Sequence, residues 1–422
     1  MKYITLLCDG MADLPIEKLN GKTPMEVANK PNIDSLARDS EIGMVKTIPT
    51  GMDAGSDVAN LSVMGYDPKK HYSGRSPLEA LSMGVDMALD DISFRCNLVT
   101  LSEVEDNYEE KVILDNSASD ISTEEAIVLI RDVVTYLSKE CYFSKEPSSI
   151  GNEVLSGILA VGKYEFYTGL GYRHILIERK GDLVKLTPPH DILQKAIKSY
   201  LPSHQILKDM MVKSYNLLNN HPINMARRER GLNPANSIWF WGGGTKPKLP
   251  SFMDTFGLRG AIFSATDLLK GIAKGLDMDI LVVKGANGGL DTNYEGIANA
   301  CVKTLVKDEC DFVYLHMEAP DELSHQGNLE KKILAIEYID QKVLPIVLDG
   351  LKEAGEDFRI LILPDHPTPV SLRTHTSDPV PYLIYDSRVK ALGCDSFTEK
   401  NALSFNTLVE PGYKLAKQFF TV

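Results

Sequence analysis

No Cys-x-x-Cys pair occurs in this chain, and its six cysteines (Cys8, Cys96, Cys141, Cys301, Cys310 and Cys394) are scattered. That spacing argues against a disulfide framework and against a cysteine zinc site. No stretch approaches the roughly 20 apolar residues that cross a bilayer, so no membrane partner is expected. The opening Met1–Cys8 run is too short for a signal peptide and meets Asp9-Gly10 at once. It reads as a first strand, and the chain is expected in the cytoplasm. Basic residues are the minority, 45 Lys and Arg against 58 Asp and Glu, for a formal net charge of −13. Such a surface repels nucleic acid. Also missing are the Gly-x-x-x-x-Gly-Lys-[Ser/Thr] phosphate loop, the Gly-x-Ser-x-Gly elbow and a Cys-x-Pro-x-Arg motif. Gly242–Gly244 does not complete a dinucleotide fingerprint.

What is present is ordinary globular material: 422 residues, 43% hydrophobic and 24% charged, enough for about two domains. Residues 2–8 read as a buried strand, 24–37 as a helix capped by Thr23 with Glu26, and 45–48 as a short strand. The loop 49–55 leads into a helix opening near Ser56. In the middle, 92–103 and 157–187 read as strands, a helix starts at Ser122 with Glu125, and another spans 204–219. From 255 onward strands and helices alternate: strands 280–283, 311–315 and 358–363, helices 294–307 and 328–353. Alternation of this kind predicts an α/β fold, a mainly parallel sheet with helices on both faces. The middle predicts an inserted smaller α+β domain. The expected boundaries are 1–75 with 250–422 for the main domain and 76–249 for the insert.

Ligands on parallel sheets gather beyond the carboxyl ends of the strands. Asp9 follows the first strand; His316 and Glu318 close the 311–315 strand, with Asp321 and His325 just beyond. Asp365 and His366 follow 358–363, and His375 lies in the loop after them. Imidazole and carboxylate together suit Zn²⁺ or Mn²⁺. Asp321 and His325 are four apart, so on a helix they share one face. Taken alone, that pair is an ordinary helix start with a surface histidine, and Asp9-Gly10 is a common turn. Their convergence on one sheet edge favours metal. Ser56, in Gly55-Ser56-Asp57, reads as a helix N-cap, a place where backbone N–H groups can also hold a phosphate. A serine hydroxyl is a weak nucleophile until a base or a metal activates it.

Longer strings carry a resemblance. GSDVANLSVMGYDP (55–68) with YSGRSPLEA (72–80) resembles the phosphoserine loop of cofactor-independent phosphoglycerate mutases of the archaeal type. APDELSHQG (319–327), LPDHPTPVSLRTHTSDPVP (363–381) and LLCDGMAD (6–13) resemble that family's metal-binding stretches. FRCNLVTL (94–101), TGLGYRHILI (168–177) and RGLNPANSIWFWGGG (230–244) extend the likeness over nearly the whole chain.

The resemblance implies an alkaline-phosphatase-like sheet and two divalent ions, whether Mn, Zn, Co or Mg. It implies transient phosphorylation of Ser56 and interconversion of 3-phosphoglycerate and 2-phosphoglycerate in glycolysis and gluconeogenesis. One ion would take Asp9, Ser56, Asp365 and His366, the other Asp321, His325 and His375, with His316 and Glu318 orienting ligands from behind. The insert would bind substrate and act as a cap.

A small phosphorylated carboxylate needs a cationic clamp. Candidates are Arg75, Arg95, Arg173 and Arg259, with His190 and Lys284. The Arg227–Arg230 run reads as a solvated face, and Trp239 and Trp241 as packing. The alternatives are a metal-dependent phosphatase, a phosphotransferase of another specificity such as a homoserine kinase, and a non-catalytic metal binder. A homo-oligomer stays open.

Overall fold

The Lys2–Cys8 run is apolar apart from Lys2 and Thr5, and it forms a strand buried along six of its seven residues. Continuous apolar runs suit strands with neighbours on both sides and cover on both faces. Here the neighbours are Phe312–Met317 and Phe358–Leu363, both parallel to it. The register pairs Cys8 with Met317 and Leu7 with Leu363, so all three strands end at one level.

The computed structural model describes residues 1–139, 158–161 and 163–421; Cys141 lies outside the described residues. The chain folds as two compact units, Met1–Tyr72 with Lys248–Val422 and Ser73–Pro247. The sequence reading set these boundaries two or three residues later in the chain.

The first unit holds an eight-stranded sheet. Its order is Asp279–Ile280, Gly260–Phe263, Phe312–Met317, Lys2–Cys8, Phe358–Leu363, Val380–Asp386, Glu41–Val45 and Leu408–Val409. Val380–Asp386 runs antiparallel to its neighbours and the other pairings are parallel. Helices Tyr294–Val306 and Leu344–Glu353 bury Ile297, Cys301, Val347 and Leu351 against the sheet residues Ile4, Leu6 and Val313.

Several elements depart from the sequence reading. The 24–37 helix is two: Pro24–Val27, closed into a capping box by Thr23 and Glu26, and Pro31–Ala37. Pro31 lacks an N–H and pushes Lys30 out of helical geometry, which breaks the run. The expected 45–48 strand is Glu41–Val45. Gly43 hides it, since Gly is poor in strands. Glycine stands there because a Cβ would meet the Tyr382 ring at 2.9 Å. The 280–283 strand pairs only as Asp279–Ile280, and Val282 is 93% exposed at the sheet edge. The 328–353 helix contains a π turn, Ile339–Val343, between Leu329–Tyr338 and Leu344–Glu353. Pro345 cannot donate to the turn before it, which favours the wider turn. Within that turn Asp340 caps the Pro31–Ala37 helix by accepting from Asn32 and Ile33 N–H.

The second unit is a six-stranded antiparallel sheet. Ile92–Leu101 is its centre, paired with Arg173–Glu178 on one side and with Ser237–Thr245 and the end strand Ile113–Asp115. Helices Thr123–Lys139 and Gln205–Leu218 bury Ala126, Ile130, Val133, Leu207 and Met211 with Phe94, Cys96, Leu98 and Phe240. Ser122 Oγ accepts the Glu125 N–H, while the Glu125 carboxylate takes Arg227 and Arg230. Arg227 is buried, so the expectation of a solvated basic run fails at that residue. Trp239 and Trp241 are buried as packing residues, with their N–H groups on the Thr187 carbonyl and on Asn97.

Candidate metal centre

The level at which the three central strands end is where the polar residues collect. Asp9 leaves the Lys2–Cys8 strand, 3% exposed, with its N–H on the Met317 carbonyl. Asp365 and His366, both fully buried, leave Phe358–Leu363. The segment after Met317 forms the helix Ala319–His325, which carries Asp321 and His325 one turn apart. His325 Nε2 lies 3.2 Å from Asp321 Oδ2. His375 Nε2 lies 3.0 Å from His325 Nε2 and 3.4 Å from Asp321 Oδ1. Its ring stacks on His366 at 3.9 Å. Ser56 is the first residue of the Ser56–Val63 helix, and Gly55 takes the cap position that the sequence reading gave to the serine. The half-buried Ser56 Oγ is 3.2 Å from His366 Nε2.

The donor atoms fall into two overlapping sets, Asp321 with His325 and His375, and Asp9 with Asp321 and His366. Within each set they lie within 4.8 Å of one another. Asp321 therefore stands between both sets, whereas the sequence reading gave it to one. Gly10 keeps this junction open: at φ +60° its backbone passes so close that a Cβ would meet Asp321 Oδ1 and Thr368 Oγ1 at 2.6 Å.

A divalent cation fits this donor set. Asp9 Oδ1 is buried with no hydrogen-bond partner. Burial, then the Asp365 and Asp321 carboxylates, push the Asp9 carboxyl well above its usual range. Among the described residues, no Lys or Arg ion pair reaches Asp9, Asp321 or Asp365; only histidines do. Uncompensated buried carboxylates of this kind are costly, and a metal removes the cost.

Second contacts fix the ring nitrogens. The Arg373 carbonyl accepts from His325 Nδ1 at 2.9 Å, which turns Nε2 toward Asp321 and His375. Thr368 Oγ1 donates to Asp321 Oδ1 at 2.5 Å and sits 3.2 Å from His366 Nδ1, so it accepts there and leaves His366 Nε2 bare. His316 bridges Ser264 Oγ and Asp9 Oδ2, the latter at 2.8 Å, and so orients Asp9. Burial lowers His316 to about 4 and also lowers His366, so both rings are neutral. His325 is raised to about 9 by its hydrogen bond with Asp321, against the opposing effect of burial. An incoming cation must displace that proton.

Sequence reasoning missed the supports. Lys332, fully buried on the Leu329–Tyr338 helix, reaches Asp13 Oδ2 at 2.8 Å and the Thr368 carbonyl at 2.9 Å. It thereby ties the loop after Asp9 to the loop after His366. Asp13 also accepts from Leu14 and Val370 N–H. Asn60 donates to the Ser56 carbonyl and to Asp365, and accepts from the Tyr314 hydroxyl. Thr368 and Asn60 lie inside the strings that carried the resemblance, and could have been noticed as buried polar residues there. Lys332 gave no signal.

The cationic candidates divide. Arg75, Arg95, Arg173 and His190 all belong to the six-stranded unit. Glu79 receives Arg75 at 3.1 Å and Arg95 at 3.0 Å. Arg95 lies 4.2 Å over the Trp241 ring, and His190 meets that ring edge-on at 5.1 Å. Burial lowers Arg95 to about 10 despite Glu79. Arg173 is exposed over Tyr172. Lys284 is exposed in the loop after Asp279–Ile280. Glu318, half-buried, precedes the Ala319–His325 helix, and the Gly288 backbone packs on its carboxylate. Arg259 does not join the cluster. It precedes its strand, at the opposite end of the sheet, and pairs with Asp279 at 2.9 Å.

The chain is similar to known proteins along nearly its whole length. The family model for 2,3-bisphosphoglycerate-independent phosphoglycerate mutase matches residues 37–224. A protein of that name from Methanosarcina barkeri is 46% identical over 95% of this chain and 95% of its own length. One from Geobacter sulfurreducens, named as a probable member, is 43% identical over 98% of each. Among solved structures, a Pyrococcus horikoshii protein superposes with a TM-score of 0.76 at 29% identity, covering 99% of this chain and 96% of its own. The fold is shared as well by a cofactor-independent phosphoglycerate mutase from Thermoplasma acidophilum, TM-score 0.62 at 24% identity and 99% coverage of both. With relatives this close over almost its full length, the chain belongs to the 2,3-bisphosphoglycerate-independent phosphoglycerate mutases, a family of isomerase enzymes.

Proposed function

We propose that this enzyme interconverts 3-phosphoglycerate and 2-phosphoglycerate by passing the phosphoryl group through Ser56. The observation that carries the reading is a half-buried serine hydroxyl at a helix start, 3.2 Å from His366 Nε2 and beside two sets of metal-type donors. Asp9, Ser56, Asp365 and His366 would hold one divalent ion, and Asp321, His325 and His375 the other. When bound, such ions would stabilise the serine alkoxide and neutralise charge on the phosphoryl oxygens.

Ser56 Oγ gives up its proton and attacks phosphorus, the bond from phosphorus to the substrate oxygen breaks, and that oxygen takes up a proton to become a glycerate hydroxyl. Glycerate stays, turns, and its other hydroxyl takes the phosphoryl group back from Ser56. Positioning and electrostatics dominate such transfers. The Ser56–Val63 helix presents its first N–H groups to the phosphoserine. Arg75, Arg95, Arg173 and His190 are proposed for the carboxylate and phosphate of the substrate, with Lys284 as a further candidate and Arg259 set aside. His316 and Glu318 act behind the ligands. Water must be kept from phospho-Ser56, since hydrolysis would release glycerate and inorganic phosphate.

The test is Ser56→Ala assayed with 3-phosphoglycerate in defined metal, beside acid-quench trapping of phosphoserine. Turnover and trapped phosphoserine both disappear. Retained mutase activity in that variant overturns the proposal, and glycerate formed faster than isomer by the unaltered enzyme assigns it to hydrolysis instead.

A further inference from the structure

Asn60 is fully buried on the fourth position after Ser56 in the Ser56–Val63 helix. Both of its amide protons are committed, one to the Ser56 carbonyl at 2.8 Å and one to Asp365 Oδ2 at 2.9 Å. Its oxygen must then be an acceptor, and the Tyr314 hydroxyl donates to it at 2.5 Å. Tyr314 is itself fully buried on the Phe312–Met317 strand. The amide orientation is thus set by three partners on three segments of chain.

Asp365 shows what this controls. Its Oδ1 accepts from Gly10 N–H at 3.2 Å and from His366 N–H at 2.9 Å. Its Oδ2 accepts from Asn60, and lies 3.3 Å from His366 Nε2, which faces Ser56. Backbone holds one oxygen; a side chain holds the one that faces the donors. An interior asparagine is mildly unfavourable in a helix, and burying it needs every polar atom satisfied. Helix formation alone gives no reason for asparagine here.

We propose that Tyr314 and Asn60 act as a positioning pair: Tyr314 locks the Asn60 amide, and Asn60 aims Asp365 Oδ2 at the ion that Asp365 shares with Ser56. The pair touches neither substrate nor reacting atoms and acts through Asp365. The inference rests on the two-ion reading above, and it adds why one ion depends on a tyrosine lying outside the ligand sets.

The experiment is Mn²⁺ titration of chelator-stripped protein, followed by calorimetry and by the electron paramagnetic resonance of free Mn²⁺. The unaltered protein binds two ions per chain. Tyr314→Phe, which removes one hydroxyl and keeps the ring, weakens one ion about tenfold and leaves the other unchanged, in the range seen when supports behind metal ligands are removed. Asn60→Ala weakens the same ion about a hundredfold. The double variant matches Asn60→Ala alone, because Tyr314 works through Asn60. In turnover, Tyr314→Phe lowers the rate at limiting Mn²⁺ and excess Mn²⁺ restores it, a dependence that loss of folded enzyme alone does not give.

Dissociation constants unchanged from the unaltered protein, or weakened alike for both ions, overturn the positioning role and leave the two-ion reading standing. Additive losses in the double variant overturn the claim that Tyr314 acts through Asn60. Fewer than two ions on the unaltered protein overturn the two-ion reading and this inference with it. Should Tyr314→Phe fold poorly, Asn60→Ala carries the same comparison.

Discussion

The two units bury acidic side chains and resolve the cost in opposite ways. In the six-stranded unit, the buried Asp91 and the half-buried Glu165 meet Arg179, each at 2.6 Å, and the half-buried Glu125 meets the buried Arg227. In the eight-stranded unit, Asp9, Asp321 and Asp365 are buried beside one another with histidines as their only ion-pair partners among the described residues. Both arrangements hide carboxylates from water, which is expensive without a compensating charge. The difference separates the two units: the second pairs its carboxylates with its own arginines, and the first gathers carboxylates and histidines into metal-type donor sets. Asp13 shows that the first unit can do otherwise. Only four residues after Asp9, it has Lys332 as a fully buried partner at 2.8 Å.

Breaking that internal pair gives the largest expected effect. Lys332→Met leaves Asp13 charged, buried and short of its cation, and destabilises the protein by about 3–5 kcal/mol in urea unfolding. Adding Asp13→Asn to it recovers most of the loss. An unchanged midpoint for Lys332→Met would erase the contrast between Asp13 and Asp9.

Filling the other cluster comes next. Mn²⁺ at about a hundred times its dissociation constant stabilises the stripped protein by about 2.7 kcal/mol per site. Hydrogen exchange then slows around Asp9, the Ala319–His325 helix and Asp365–His375, and is unaltered in the Ile92–Leu101 strand. Equal protection of both units would contradict the assignment.

The smallest effect lies in the second unit. Asp91 and Glu165 are opposed by burial, yet hydrogen bonds, from Ala88 N–H and Arg179 for Asp91 and from Arg179 and Tyr167 for Glu165, hold both below the usual carboxylate range. Their contribution is complete above the unfolded values near about 4 and is lost as pH falls through the lower folded values. Arg179→Met therefore costs about 1–2 kcal/mol at neutral pH, with the partial exposure of Arg179 limiting it. The gap between variant and parent closes in melts run well below pH ~4. A gap that widens on acidification would reverse the argument.

Much of this was legible in the residues alone, and the failures have physical causes. Strand runs such as Phe358–Leu363 are continuous and apolar, so their ends could be located, and Asp9, Asp321, His325, Asp365, His366 and His375 could be gathered at one edge. Strand Glu41–Val45 was missed because Gly43 answers to the Tyr382 ring, a contact made only in the folded sheet. The helix break at Pro31 was written in the sequence and overlooked. Arg259 was misplaced because a charged residue near a strand gives no hint of which end it occupies; here it is the amino end. The supports were the least visible. Lys332 reads as a solvent-facing helix residue, and its partners come from loops far away in the chain. The same holds for the sharing of Asp321 between two donor sets, which follows from where Thr368 and Gly10 lie.

The position of the Lys2–Cys8 strand has a consequence for how the protein is made. It is the middle of the parallel sheet, yet its neighbours on either side, Phe312–Met317 and Phe358–Leu363, are synthesised long after it. Until they emerge, an apolar strand waits with both edges unpaired, the condition that invites aggregation and chaperone binding. The same delay sets when the donor cluster can form. No nascent fragment ending before Asp365 contains His366 or His375, so neither donor set is complete until most of the chain has been made.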